Sequence, residues 1–379
     1  MKLTTAGESH GKALVAIIEG LPAHLTMDVE KINEALALRQ SGFGRGARQS
    51  IEKDRVEILT GVRNGETLGS PVTLCIYNRD FENWADCMSA GECDPQKMQE
   101  KKLTKVRPGH ADLTGMQKFM QEDARNVLER ASARETAIRV AAGEVYRQYL
   151  SALGVDIGGY VCEICDVKDG GRYAFNQLVE AKSSPIGMLD KEVEALALEK
   201  ISTLQKAGDT AGGVVEIRVK GLKSGFGSMM TYAEKLDAQL AYGLMSIQGV
   251  KGVEIGAGFE SAEKSGRETH DEIFYDEAKG FYRTTNRAGG IEGGMSNGEE
   301  VVLRVAMKPI PTLMQGLKTV DYTTKEPSVA AAERSDTCAI FALEVIAEAV
   351  VAEVLANAVS RRLGGDTMQE VIARYNLLP

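Results

Sequence analysis

Apolar positions along this chain fall into two kinds of run, and their order sets the architecture to expect. Ala13-Leu14-Val15-Ala16-Ile17-Ile18 is rich in β-branched residues and bounded by glycines, which predicts a buried strand. Residues 56–61, 71–77, 155–167, 213–219, 251–256 and 301–309 read as further strands. Residues 30–39, 188–207 and 235–247 carry helical spacing instead. Two more helices, roughly 133–153 and 339–363, stand apart because they are rich in alanine. In the first, Ala137, Val140, Ala141 and Val145 form an apolar face, and Gly154 supplies a stop. Ser132 and Glu135 make the S-x-x-E capping-box pattern, so the helix is expected to begin just after Ser132 and to run about 20 residues, or about 30 Å. A face of small side chains lets another backbone come close, which suits a helix buried between two layers. Two such helices separated by many strands predict α/β layers with the helices inside. Residues 81–104 are polar and irregular, carry Trp84, and read as a long surface loop of the kind used as a lid or contact region.

Composition narrows the class. A chain of 379 residues can bury a large core, as one big domain or two ordinary ones. Its hydrophobic and charged fractions, 43% and 26%, are those of a soluble globular protein, and no apolar run approaches the ~20 residues of a membrane helix. Residues 1–7 lack the apolar core of a signal peptide, so a cytoplasmic location without membrane contact is expected. Six cysteines scattered over this length are no disulfide framework. Cys162-Glu163-Ile164-Cys165 lacks the two further ligands a zinc site needs, and no metal is expected. A net charge of −9 disfavours a nucleic-acid surface. Against that acidic background, local arginine clusters stand out as sites for small anions.

Arg107-Pro108-Gly109-His110-Ala111-Asp112 places a histidine on a Pro-Gly turn, and Arg130 and Arg134 flank the helix start at Ser132. A helix N-terminus offers free N–H groups and partial positive charge, so this is an anion-site candidate. An arginine-rich solvated helix start with a surface histidine is the plainer alternative. Gly7-Glu8-Ser9-His10-Gly11 formally fits the G-x-S-x-G nucleophile elbow, but that elbow needs a strand before it and a helix after it. Here a strand-like run follows and almost nothing precedes. Ser9 and His10 on a glycine-flanked turn can instead bind an anion and move a proton. Arg39, Arg45 and Arg48, around the glycines of 42–46, can each grip carboxylate or phosphate in a bidentate manner. A disordered basic loop, or an RGG-like nucleic-acid segment with Phe43 as its one aromatic, are the alternatives. The glycine-rich 289–298 loop matches neither a Rossmann nor a P-loop pattern.

Taken in order, Gly7-Glu8-Ser9-His10-Gly11, the 42–48 loop, Arg107 to Asp112, 130–136, Lys235-Leu236-Asp237-Ala238, 251–256, 289–298 and Arg334-Ser335-Asp336 resemble the chorismate synthase family, over nearly the whole chain. The resemblance implies an enzyme that converts 5-enolpyruvylshikimate 3-phosphate to chorismate by anti-1,4-elimination of phosphate, using reduced FMN with no net redox change. It also implies a β-α-β sandwich, alanine-rich helices between antiparallel sheets, as a single large domain over 1–379 in a homotetramer. That overrides the two-domain division length alone suggests. Carried over residue by residue, Arg39, Arg45, Arg48, Arg107 and Arg134 hold the phosphate and two carboxylates of the small-molecule substrate. His10 protonates the leaving phosphate, His110 lies at the reduced flavin, and Asp336, with Ser9 or Ser132 as relay, manages the flavin N5 proton. Flavin contacts fall on Arg130, Ala131, Ser132, Gln248, Gly249, Gly293, Lys308, Pro309, Ile310, Pro311, Thr312 and Arg334. Some family members borrow reduced FMN and others reduce it with NADPH; no motif assigns this chain to either. Ser335 and Gln49 depart from the histidine of some members and the methionine of many. A catalytically silent binder of the same fold is the competing class, and the presence of both His10 and His110 opposes it.

Overall fold

The computed structural model describes residues 1–46, 53–278, 280–330 and 336–379. The elements used below are β1 (Lys2–Ala6), β2 (Ala13–Glu19), α1 (Val29–Gln40), β3 (Glu57–Thr60), β4 (Val72–Tyr77), α2 (Asp112–Phe119), α3 (Arg125–Ala131) and α4 (Thr136–Ser151). They continue with β5 (Asp156–Ile164), β6 (Val167–Lys168), α5 (Lys191–Ala207), β7 (Gly213–Lys220), α6 (Leu236–Met245), β8 (Val250–Ile255), β9 (Val301–Met307) and α7 (Ile340–Leu363).

Each large sheet alternates, and the alternation decides which face meets the helices. In β2, Leu14, Ala16 and Ile18 are fully buried while Ile17 is exposed. In β9 and β7 the buried sets are Val301, Leu303, Val305 and Val215, Ile217, Val219. A period of two puts each set on one side of its sheet. The first sheet has the order β1-β2-β4-β3 and the second β8-β9-β7-β5-β6, with every pairing antiparallel. Helix α4 packs on β2 and β4, α7 packs on β5 and β7, and the two helices pack on each other with α1 beside them. This is the β-α-β sandwich, with the alanine-rich helices inside. One hydrophobic cluster runs through it from Leu14 to Tyr375.

Two helices of that layer, α4 and α7, come close together at Gly143. A Cβ built there would lie 2.3 Å from Cβ of Ala349 and 2.6 Å from its Cα. Helix α7 is buried along nearly all its length, including Glu344 and Glu348. Lys182 donates to both carboxylates (2.6 Å to Glu344 Oε2, 3.0 Å to Glu348 Oε1), and Arg147 Nη1 donates to Glu348 Oε2 at 2.8 Å. Burial and the neighbouring Glu348 push the Glu344 carboxyl up, so the pair favours keeping one proton.

Three expectations need correction. Ser132 does not open the long helix by a capping box: its Oγ accepts from Arg134 N–H at 3.2 Å to start a 3-10 turn, Ala133–Glu135, and the α-helix begins at Thr136. Glu135 turns away to accept from Thr5 Oγ1 at 2.8 Å instead of returning to the cap. Residues 81–104 are not an irregular loop, since they contain helical turns at Ala85–Met88 and Pro95–Lys101. A strand, β1, does precede Gly7, so the Gly7 to Gly11 motif is a turn between antiparallel strands and not a strand-to-helix elbow.

Replacing Gly143 with alanine gains about 1 kcal/mol of helix propensity but forces the two helix backbones apart. Overpacking of this kind costs about 1–3 kcal/mol, and contact with the Ala349 backbone leaves no side chain free to yield. G143A is therefore expected to lower the chemical-denaturation midpoint; an unchanged or raised midpoint would refute the close crossing.

Candidate active site

The β1–β2 turn carries His10, and a buried carboxylate on α3 holds it. His10 Nδ1 lies 2.9 Å and 3.1 Å from the two oxygens of Glu129, the His10 backbone N–H donates to Glu129 Oε2 at 2.7 Å, and Ser9 N–H donates to the Glu129 carbonyl at 2.9 Å. Burial pushes the Glu129 carboxyl up, but the bonds from His10 and the charge of Arg125 outweigh it and hold it below the usual value. An ionised carboxylate only accepts, so Nδ1 carries the proton of this bond and Nε2 is the free edge. Trp84 stacks on the imidazole with centroids 4.1 Å apart and planes 29° apart. Arg125 bridges the pieces: Nη1 donates to Glu129 Oε1 at 3.2 Å, Nε donates to the Lys101 carbonyl at 2.8 Å, and the guanidinium carbon sits 4.8 Å from the Trp84 ring centre.

Asn78 joins this turn to an arginine cluster. Its Nδ2 donates to the carbonyls of Glu8 (3.2 Å) and Gly11 (2.7 Å), while its Oδ1 accepts from Arg134 Nε (3.0 Å) and Nη2 (2.8 Å). Arg134 Nη1 also donates to Asp54 Oδ2 at 2.6 Å. Arg39 donates from Nε to Thr136 Oγ1 at 3.0 Å and from Nη2 to the Ala133 carbonyl at 2.8 Å, which fixes it to the first turn of α4. Arg45 Nε lies 3.3 Å from Asp336 Oδ2, and Asp336 Oδ1 accepts from Gly46 N–H at 2.6 Å. Burial pushes the Arg39 guanidinium down to about 9; Arg45 and Arg134 add to this, and Asp54 and Asp336 oppose it. Among the described residues three guanidiniums thus face two carboxylates, an arrangement suited to an anionic ligand.

His110 is held in the same way as His10. Its Nδ1 donates to Asp112 Oδ1 at 2.5 Å, and Asp112 also accepts from Arg107 Nε (2.8 Å), Nη2 (3.0 Å) and backbone N–H (3.1 Å). Arg107 Nη1 donates to Thr312 Oγ1 at 3.1 Å, and Lys308 Nζ donates to the Gly109 carbonyl. Helices α2 and α3 pack together, with Gly115 of α2 against Val127 of α3, so one small unit carries the holders of both histidines. Lys308 N–H donates to the Gly249 carbonyl at 3.0 Å, which sets 308–312 beside Gln248 and Gly249. Gln248 Nε2 reaches Glu135 Oε2 at 3.4 Å, and Arg130 Nη2 lies 3.8 Å from Glu135 Oε1. The structure therefore links Arg130, Ala131 and Ser132 with Gln248, Gly249 and Lys308 to Thr312. Gly293 stands apart, before the N-terminal end of α6, whereas Gln248 follows its C-terminal end about 15 Å along the axis. Arg48 and Arg334, and the departures at Gln49 and Ser335, lie outside the described residues.

Sequence reasoning missed Glu129, Trp84, Arg125, Asn78 and Asp54. Only Glu129 had a local signal, its i,i+4 spacing from Arg125. A cavity of about 850 Å³ lies elsewhere, lined by Arg147, Lys182 and Glu348 among others, and none of the site residues named above borders it.

In a β-α-β sandwich, two histidines each held by a buried carboxylate, together with a cluster of buried arginines, are groups suited to proton transfer and to binding a small anion. The chorismate synthase family model matches residues 1–360. A chorismate synthase of Caldicellulosiruptor bescii is 53% identical over 379 residues, covering 99% of this chain and 98% of its own length. One of Geobacter metallireducens is 51% identical over 385 residues, with the same coverage of both chains. A crystal structure of chorismate synthase matches with a TM-score of 0.79 at 38% identity, covering 99% of this chain and 96% of its own. The chain belongs to the chorismate synthase family. It is a carbon–oxygen lyase that forms chorismate from 5-enolpyruvylshikimate 3-phosphate with loss of phosphate.

Burial pushes the Asp112 carboxyl up, but His110 and Arg107 overcome this and hold it well below its ordinary 3.8. A depressed folded value means that the stability it contributes is complete above the ordinary value and is lost only as pH falls well below it. Asp112→Asn removes that contribution and takes a buried carboxylate away from Arg107, at a cost of about 3–5 kcal/mol near neutrality. Urea midpoints of wild type and D112N are expected to lie far apart at pH 7 and to converge in strong acid. Parallel curves would contradict the assignment.

Proposed function

We propose that His10 donates the proton to the departing phosphate and that Arg39, Arg45, Arg48, Arg107 and Arg134 recognise the anionic groups of the substrate. The observation that carries this reading is Asn78, which ties the His10 turn to Arg134 and so supports a proton donor set beside a cluster of buried arginines. As the bond from ring carbon to phosphate oxygen breaks, a proton from His10 lowers the charge on the leaving group. Such general acid catalysis is typically worth ~10²–10⁴ in rate.

Reduced FMN is the cofactor we assign, and the residues present suit it. Among the described residues the buried side-chain oxygen of Gln248 has no hydrogen-bond partner, and beyond its chain neighbours only the end of Met295 comes within 4 Å of a Cβ built at Gly293. Arg130 to Ser132, Gln248, Gly249, Lys308 to Thr312 and Arg334 would hold the flavin, with Gly293 at the far end of α6. When bound, the reduced flavin supplies the acceptor for the C6 hydrogen of the substrate. His110, fixed by Asp112, stands beside the 308–312 segment with an imidazole ready to hold or give a proton there. Asp336 orders Arg45 and the Gly46 backbone, and we assign it, with Ser9 or Ser132, to proton management at the flavin.

The single domain over 1–379 is supported by the continuous core from Leu14 to Tyr375. A homotetramer is supported by large exposed apolar side chains on two stretches, Met229, Met230, Tyr232 and Tyr242, and Ile273, Tyr275 and Phe281. All six cysteines are free thiols, in keeping with a reducing cytoplasm.

The test is an anaerobic assay with dithionite-reduced FMN and 5-enolpyruvylshikimate 3-phosphate, reading phosphate release. H10A is expected to lose about 10²–10⁴ in turnover, and H110A to be impaired as well. Full activity in both variants would overturn the roles given to the two histidines.

A further inference from the structure

The geometry points to Glu129 as the positioning residue for His10, with Trp84 as the plate that holds the ring from its face. This rests on the reading of His10 as the proton donor. Glu129 is 3% exposed, and its two oxygens take both the ring Nδ1–H and the backbone N–H of the same residue. That double grip fixes the backbone and the imidazole together, and leaves ring rotation little freedom. The carboxylate also decides the tautomer. Because it can only accept, Nδ1 keeps its hydrogen in both the neutral ring and the imidazolium, so the proton the imidazolium gives up is the one on Nε2, and the neutral Nδ1–H tautomer is left behind. Among the described residues Nε2 has no hydrogen-bond partner, and the side chain is 15% exposed, so this edge is the one a leaving group can reach.

Trp84 supplies the second constraint. Stacked at 4.1 Å, it blocks one face of the ring and keeps water from it. Trp84 is itself held, by a 3.0 Å bond from its Nε1–H to Asp80 and by Lys101 and Arg125 against its ring, at 4.5 Å and 4.8 Å from its centre. The helical turns of 79–101 therefore act as a clamp on the proton donor, fastened to α3 through Arg125.

Four proteins separate this role from a structural one: wild type, H10A, E129Q and the double variant, in the anaerobic assay. A glutamine keeps the shape but has one acceptor oxygen where two are needed. E129Q is expected to lower kcat about 10–100-fold, the range for groups that orient a working imidazole, with little change in KM for the substrate. In the H10A background the same change is expected to cost nothing further, because Glu129 acts through the ring that is gone. E129D, which keeps the charge for Arg125, recovers part of kcat and carries the comparison if E129Q does not fold. Trp84 is the only tryptophan in the chain, so its emission in flavin-free protein reports the stacked ring directly. Imidazolium quenches indole, and emission is expected to rise in H10A and to change in E129Q. Normal kcat in E129Q while H10A is impaired overturns the positioning role, as does an equal loss from E129Q in both backgrounds. Full activity in H10A would instead remove the proton-donor reading on which it stands.

Discussion

The contact on which the rest of the molecule depends is the backbone-to-backbone crossing of α4 and α7 at Gly143 and Ala349. Two helices can sit this close only where the side chains between them are nearly absent. Their spacing sets the thickness of the inner layer, and so the separation of the two sheets that close over it. It also fixes the first turn of α4, where much of the chemistry is anchored. The Ala133 carbonyl and Thr136 hydroxyl hold Arg39, Ser132 and the same turn place Arg134, and Glu135 spans from Thr5 of β1 to Gln248 beside β8. An arginine cluster built this way is rigid before any ligand arrives.

Rigidity matters because the cluster is electrostatically unfinished. Arg39 and Arg134 are almost wholly buried, each held by hydrogen bonds, and among the described residues Asp54 and Asp336 do not balance the charge of Arg39, Arg45 and Arg134. In the reading we propose, a substrate bearing a phosphate and two carboxylates supplies the missing negative charge. Burying the guanidiniums in advance shifts the desolvation cost to folding, so that binding meets charges already aimed. The buried group at Lys182 works the opposite way: two carboxylates meet two cations there, and burial with the neighbouring Glu348 makes Glu344 favour its proton instead of calling for a ligand.

Most of the frame was legible in the chain because it is built from long periodic runs. Helices 136–151 and 340–363, and the strands at 72–77, 213–220 and 301–307, fall where apolar spacing puts them. The motif residues were legible too, through their resemblance to a family. What escaped was short or non-local. Helix α3 has seven residues, too few for a period to show, and Glu129 read as one more member of an arginine-rich run. The turns at 85–88 and 95–101 are shorter than or equal to it, so polarity alone suggested an open loop. In β1 the side chains of Lys2, Thr4 and Ala6 are exposed and the strand lies at a sheet edge, which leaves almost no hydrophobic alternation to read. The Trp84–His10 stack and the Asn78 bridge join segments with no local pattern in common, and only the folded chain brings them together.

Helix α7 touches α1, α4, α6 and the three inner strands of the larger sheet, β5, β7 and β9, yet it is almost the last element to be made. Until residue 363 or so has left the ribosome, the larger sheet lacks its inner lining and Val215 and Ile217 on β7 remain without cover, although α4 already lines the first sheet. The chain must therefore be shielded through most of its synthesis, and its folding is completed in one late step when the missing layer slides home.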